Sequence, residues 1–198
     1  MDDDHQRLIP LLLGVESPAE APIAAGRGVF LLLLGIWTTT MFSCAVSLDS
    51  TDSFMHLPDL IFHEAGHILF SPLGRFMTVL GGSLTQLLVP LLCAGAFLWQ
   101  TRDAFGAAIA VWWAGQNLID LAPYINDARD LQLVLLGGRT GAEVEGHDWE
   151  YLLNAMGVSH YDHAIAGVVQ AVGNVTMILA LAWALIVVVN QLSVARGR

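Results

Sequence analysis

Residues 60–70 read LIFHEAGHILF and contain the pattern H-E-x-x-H, with His63 and His67 four positions apart and Glu64 beside the first histidine. On an α-helix, positions i and i+4 lie on one face, so both imidazoles can reach one metal ion. The glutamate is then placed to take a proton from a metal-bound water. This stretch predicts a helix that carries two metal ligands and a general base.

The composition of the whole chain indicates a membrane protein. Hydrophobic residues make up 55% of its 198 residues and charged residues only 13%, and the mean hydropathy is +0.60. A soluble domain usually has about 25% charged residues. Because a bilayer core requires about 20 apolar residues in a helix, the apolar runs predict five spanning helices. They are expected at residues 28–48, 54–74, 77–99, 104–124 and 163–190.

The predicted fold class is all-α, an integral membrane helical bundle of about five transmembrane helices. A short helix is expected in the loop 148–157, with Asp148 as its N-cap. Residues 1–27, which contain three prolines, are predicted to form a flexible or interfacial N-terminal tail. Residues 28–192 are predicted to form a single membrane-embedded domain.

The charges favour one orientation and exclude one class of partner. The net charge is −10, and the scattered arginines form no basic patch, so nucleic-acid binding is excluded.

The positive-inside rule favours an N-terminus in the cytoplasm. That orientation leaves three arginines outside and places five on the cytoplasmic side, namely Arg7, Arg27, Arg75, Arg129 and Arg139.

The histidine pair predicts a zinc site that is still one ligand short. Ionisable residues inside an apolar span are costly unless something binds them, and a metal ion does so. A catalytic Zn²⁺ takes three protein ligands and leaves one position open for water. His63 and His67 supply two of the three. The residues that could supply the third are Asp120, Asp127, Asp130 and His147.

The string F-H-E-A-G-H resembles the site-2 protease family, the intramembrane zinc metalloproteases. In that family the third ligand is an aspartate on a later spanning helix, in a motif of the form N-x-x-P-x-x-x-L-D-G. Here Asn117, Pro123 and Asp127 follow in that order, with the Asn-to-Asp spacing two residues longer and Ala128 in place of the glycine. The resemblance implies that Asp127 is the third ligand and that Asn117 helps the metal to stabilise an oxyanion.

These expectations describe a membrane-embedded zinc metallopeptidase. Zinc-bound water, activated by Glu64, is expected to attack a peptide carbonyl within or near the bilayer, and Glu64 then protonates the leaving amine. The partners are the lipid bilayer and a transmembrane or membrane-proximal peptide. A zinc hydrolase of a non-peptide membrane substrate is one alternative, and a non-catalytic metal-stabilised binding protein is another. The presence of Glu64 argues against the second alternative, because zinc binding alone requires only the ligands.

Overall fold

The computed structural model of the chain describes residues 9–15, 19–42, 46 and 53–196. Its main helices are α1 (Ala21–Met41), α2 (His56–Phe70), α3 (Arg75–Trp99), α4 (Ala104–Asn126), α5 (Asp148–Ala155) and α6 (Asp162–Arg196). Two 3₁₀ turns, Ser71–Leu73 and Ser159–Tyr161, follow α2 and precede α6. Within these described ranges, pairing of extended backbone is limited to one isolated antiparallel bridge, Val134–Thr140. The all-α fold class is confirmed.

Three helical segments are long and apolar enough to cross a membrane: α1, α3 and the segment Ser159–Ala195, which contains most of α6. Helix α2 has 15 residues. At 1.5 Å per residue it rises about 22 Å, which is less than the roughly 30 Å of a bilayer core. Helix α4 is long enough at 23 residues, but buried polar side chains interrupt its apolar sequence. The expected membrane character is therefore supported by three helices, and five spans remain a prediction.

The first helix begins earlier than the sequence predicted. Helix α1 starts at Ala21, with Pro22 in its first turn, where the fixed φ of proline is compatible with a helix. Its end at Met41 also precedes the predicted residue 48, and the backbone at Phe42 is extended. Residues 1–8, 16–18, 43–45 and 47–52, which include much of the predicted tail, lie outside the described part of the chain.

The helices form two compact units. The first takes its described residues from Met1–Phe42, Pro90–Ala114 and Val175–Arg198. Its core joins α1, α4 and α6 through Leu31, Ala104, Phe105, Ala108, Ala184, Val187 and Val188. The indole nitrogen of Trp112 donates to the Thr38 hydroxyl at 2.9 Å, and Arg27 pairs with Asp103 at 3.0 Å. These two contacts pair polar side chains of the unit with one another.

The second unit takes its described residues from Ser43–Val89 and Gly115–Asn174 and contains every candidate site residue. Its core is Leu121, Ile125, Ala128, Leu153 and Ala166. Helices α2 and α3 touch backbone to backbone, because a Cβ on Gly66 would collide with the carbonyl oxygen of Gly81. Small residues permit this approach between helices. It places the histidine-bearing turns of α2 directly against α3.

Candidate metal centre

Helix α2 presents His63 and His67 on the same face, with ring centroids 4.9 Å apart. His63 is buried and His67 is half-buried. The neighbouring residue of α3 is Gly82, where a Cβ would lie 2.6 Å from Nε2 of His63 and 2.7 Å from Cε1 of His67. The two imidazoles therefore occupy the space that a side chain at position 82 would fill.

Gly82→Ala is expected to displace both histidines and to reduce zinc affinity. Overpacking of this kind costs about 1–3 kcal/mol, and the imidazoles cannot move away without losing their shared direction. The control is Gly95→Ala in the same helix, because a Cβ at Gly95 meets nothing within 4 Å. Zinc content after dialysis against a graded chelator series measures the effect. Equal zinc retention by the two variants would contradict the packing role of Gly82.

The third member of the histidine group is Asp148. Its Oδ2 lies 2.9 Å from Nε2 of His63 and 3.2 Å from Nε2 of His67. The three ligand atoms all lie within 4.8 Å of one another. Ligand atoms about 2.0–2.1 Å from a tetrahedral zinc stand roughly 3.3 Å apart, so the spacing of these atoms fits such an ion.

Hydrogen bonds fix the tautomer of each histidine. Nδ1 of His63 faces Oε1 of Gln86 at 3.0 Å, and Nδ1 of His67 faces the backbone carbonyl of Thr78 at 2.9 Å. A carbonyl oxygen only accepts, so each Nδ1 carries the hydrogen and donates it. Each Nε2 therefore faces Asp148, and it offers a hydrogen when the ring is protonated and a lone pair when a metal ion is bound. Metal-bound histidines typically show this arrangement, in which the outer nitrogen donates to an oxygen.

Two imidazole nitrogens lie this close to one carboxylate oxygen only when a positive charge lies among them. Either protons or a metal cation can supply that charge, and the convergence of His63, His67 and Asp148 fits the metal ion. Burial raises the pKa of the Asp148 carboxyl, but hydrogen bonds with the two histidines outweigh it and hold that pKa below its usual range. Asp148 is therefore ionised at neutral pH, as a metal ligand must be.

A polar chain extends behind His63. The amide nitrogen of Gln86 donates to Oδ2 of Asp120 at 3.0 Å, and Oδ1 of Asp120 lies 2.8 Å from Nδ1 of His56. Because a carboxylate only accepts, Asp120 turns the amide nitrogen of Gln86 toward itself and the amide oxygen toward His63. Asp120, which the sequence offered as a candidate ligand, thus contacts Gln86 rather than His63. It orients the Gln86 amide that bonds His63.

The start of α5 delivers Asp148 to the histidines. The cap of this helix is His147, whose Nδ1 accepts the backbone N–H of Glu150 at 3.1 Å. The backbone N–H of Asp148 donates to the phenolic oxygen of Tyr124 at 2.9 Å. The sequence assigned the cap to Asp148 and considered His147 as a ligand. In the structure the arrangement is the reverse. His147 caps its own helix, and the carboxylate of Asp148 points at His63 and His67.

Asp127 lies in a different position from the one the sequence predicted for it. Its Oδ1 accepts the N–H of Gln132 and its Oδ2 the N–H of Leu133, both at 2.8 Å, and Oδ2 is 3.4 Å from Nε2 of His147. Its two carboxylate oxygens thus bind the backbone N–H groups of the segment that follows α4. Asp127 is not among the His63–His67–Asp148 group, and the other alternative, Asp130, is exposed.

A cavity of about 630 Å³ opens beside the histidines. Glu64 lines it together with His63, His67 and Asp148, so the predicted general base and the metal group share one space. Asn117 is fully buried and is absent from the lining. The structure therefore places Asn117 away from the cavity in which an oxyanion would form.

Comparison of the chain with protein-family models, curated proteins and solved structures finds no match. Its function is therefore argued from the chemistry of the site.

Proposed function

We propose that the chain is a membrane-embedded zinc metallopeptidase in which His63, His67 and Asp148 hold the metal. The observation that carries this proposal is the convergence of the Nε2 atoms of two histidines and one carboxylate oxygen beside Glu64. Two histidines and a carboxylate form a known ligand set for catalytic zinc, which leaves a position for water. The role that the family resemblance gave to Asp127 passes to Asp148.

The reaction needs few groups from the chain. When bound, zinc makes water acidic enough to attack at neutral pH and polarises a carbonyl. Glu64 accepts a proton from the attacking water as the new C–O bond forms. It then gives that proton to the leaving nitrogen as the C–N bond breaks, which leaves one carboxylic acid, with the second hydrogen of the water, and one amine. The chain of Gln86 and Asp120 keeps the His63 ring in the orientation that ligation requires.

The wall of the cavity favours a peptide over a non-peptide substrate. Residues 133–136 line it, and Val134 forms an isolated antiparallel bridge with Thr140. The N–H of Leu135 donates across the turn to the carbonyl of Arg139 at 2.8 Å. By the alternation of an antiparallel ladder, the N–H and C=O of Val134 point away from that partner. An extended peptide can pair with such an edge, whereas most non-peptide substrates lack groups at that spacing.

The surface of α2 supports a location in the bilayer. Its side opposite the buried His63 and Gly66 exposes large apolar side chains, namely Leu57, Ile61, Ile68 and Leu69. A soluble protein rarely leaves such a stripe uncovered. Together with the three helices long enough to span a membrane, this supports a multi-pass protein with the site within or near the bilayer. The N-terminus is assigned to the cytoplasm by the arginine bias alone.

Removal of zinc is expected to abolish peptide cleavage, and added zinc to restore it. The protein is reconstituted in phosphatidylcholine vesicles with a library of quenched fluorescent peptides, treated with a chelator and then titrated with Zn²⁺. His63→Ala is expected to lose both metal and cleavage, whereas the exposed His160→Ala keeps both. Cleavage that survives complete removal of metal would contradict the proposal. Zinc-dependent hydrolysis of esters or amide lipids without peptide cleavage would favour the non-peptide hydrolase.

A further inference from the structure

Tyr124 is a polar side chain of the cavity that the proposed function has not yet used. Tyr124 lies on α4 one turn after Asp120, and both residues line the cavity. Its ring packs 4.4 Å from the His147 ring and 6.1 Å from the His63 ring, centroid to centroid. These two neighbouring rings therefore limit the movement of the Tyr124 ring and hold it beside the His63–His67–Asp148 group.

The hydrogen bond to Tyr124 determines what its hydroxyl can do. The phenolic oxygen accepts the backbone N–H of Asp148 at 2.9 Å. That bond uses a lone pair of the oxygen, and the phenolic hydrogen is directed at the Asp148 carboxylate, from which it must turn to reach a substrate oxygen. It also fixes the oxygen next to the backbone of the third ligand. A donor is thus held at the side of the cavity where a carbonyl would meet the metal.

The other polar groups of the cavity are poorly suited to this task. His56 and Gln86 each direct a nitrogen at Asp120. The lining carboxylates accept hydrogen bonds when ionised and cannot stabilise a second negative charge. Asn117, which the sequence favoured for this role, lies outside the lining. Tyr124 is therefore the best-placed donor among the described residues of the cavity.

We infer that Tyr124 is a catalytic residue that donates its phenolic hydrogen to the scissile carbonyl oxygen as that oxygen becomes the tetrahedral oxyanion. This inference rests on the proposed peptidase function. A donor aimed at charge that develops only in the transition state raises kcat more than it improves substrate binding. The phenol keeps its proton throughout, so Glu64 remains the group that moves protons.

Tyr124→Phe tests the inference because it removes the hydroxyl and keeps the ring. Loss of one oxyanion donor lowers kcat by about 10²–10³-fold, with zinc affinity and KM nearly unchanged. The control is Tyr151→Phe, since Tyr151 stacks under the Arg75 guanidinium at 4.6 Å and is absent from the cavity lining. Its kcat is expected to match that of the wild type. A phosphinic peptide, which mimics the tetrahedral state, should lose affinity for Tyr124→Phe by a factor similar to the loss in kcat/KM.

Other outcomes separate this inference from its rivals. If zinc affinity falls and kcat recovers fully at saturating zinc, Tyr124 only supports Asp148, and the catalytic role is wrong. Full activity in Tyr124→Phe also overturns it, while the peptidase itself stands. If the wild type cleaves no peptide, the proposed function fails first. If the variant does not fold, a structure of the wild type with the phosphinic peptide decides: a phenolic oxygen beyond hydrogen-bond distance of the phosphinyl oxygens rejects the role.

Discussion

Asp148→Ala is expected to abolish zinc binding, whereas Asp127→Ala is expected to leave zinc affinity unchanged. Asp148 brings the only carboxylate within 3.2 Å of both Nε2 atoms among the described residues. Mutating an outer-sphere partner of a metal typically costs about 10–100-fold in affinity, and removing a direct ligand should cost more. Asp127 bonds two backbone amides instead. Isothermal titration of the metal-free variants with Zn²⁺ measures both affinities.

The two variants also differ in their expected effect on turnover. Asp127→Ala frees the amides of Gln132 and Leu133 and loosens the start of the cavity wall, so peptide cleavage should weaken even though zinc is bound. Asp130→Asn is the control, because it removes a nearby negative charge from an exposed side chain that bonds neither of these two amides. Thermal melting of each variant separates lost ligation from lost folding. Zinc retained by Asp148→Ala and lost by Asp127→Ala would restore the ligand set implied by the family resemblance.

The local parts of the site could be read from the sequence. Two histidines at positions i and i+4 in an apolar helix share a face wherever that helix packs, so the pair was predictable without tertiary information. Helix α5 was also predictable to within one residue, because the charged residues at 148–150 and Gly157 bound a short amphipathic stretch. The close packing at Gly66, Gly81 and Gly82 appears only in the structure, where all three lie in regular helices.

Proposing Asp148 as the third ligand required long-range information that the sequence does not carry. Asp148 is separated from His67 by two helices, α3 and α4, and a long loop, and an aspartate just before a short helix is usually its cap. In the structure His147 caps α5 instead, because its ring nitrogen accepts the Glu150 N–H. The Asp148 side chain is then not used as the cap and points toward α2. The adjacent Gly-His-Asp sequence at 146–148 was the available signal. The sequence prediction chose His147 from this loop, whereas our proposal takes Asp148.

Glu64→Gln is expected to eliminate most peptide cleavage while the protein keeps its zinc. Glutamine has nearly the same shape and remains in the cavity beside the metal group, but its amide cannot accept a proton from the attacking water. General base catalysis contributes roughly 10²–10⁴-fold to a rate, so kcat should fall within that range. Cleavage of the fluorescent peptides in vesicles gives kcat, and zinc content per chain confirms that the metal remains bound.

The control for Glu64→Gln is Glu145→Gln, which removes the same charge from the lining of the same cavity. If Glu64 acted only through its negative charge, the two variants would lose similar activity and added salt would change both. If Glu64 moves the proton, only Glu64→Gln loses turnover, and a peptide with a better leaving amine recovers part of its rate. Full cleavage by zinc-loaded Glu64→Gln would show that the proton leaves the water by another route. The H-E-x-x-H stretch would then be a metal-binding helix without its own base.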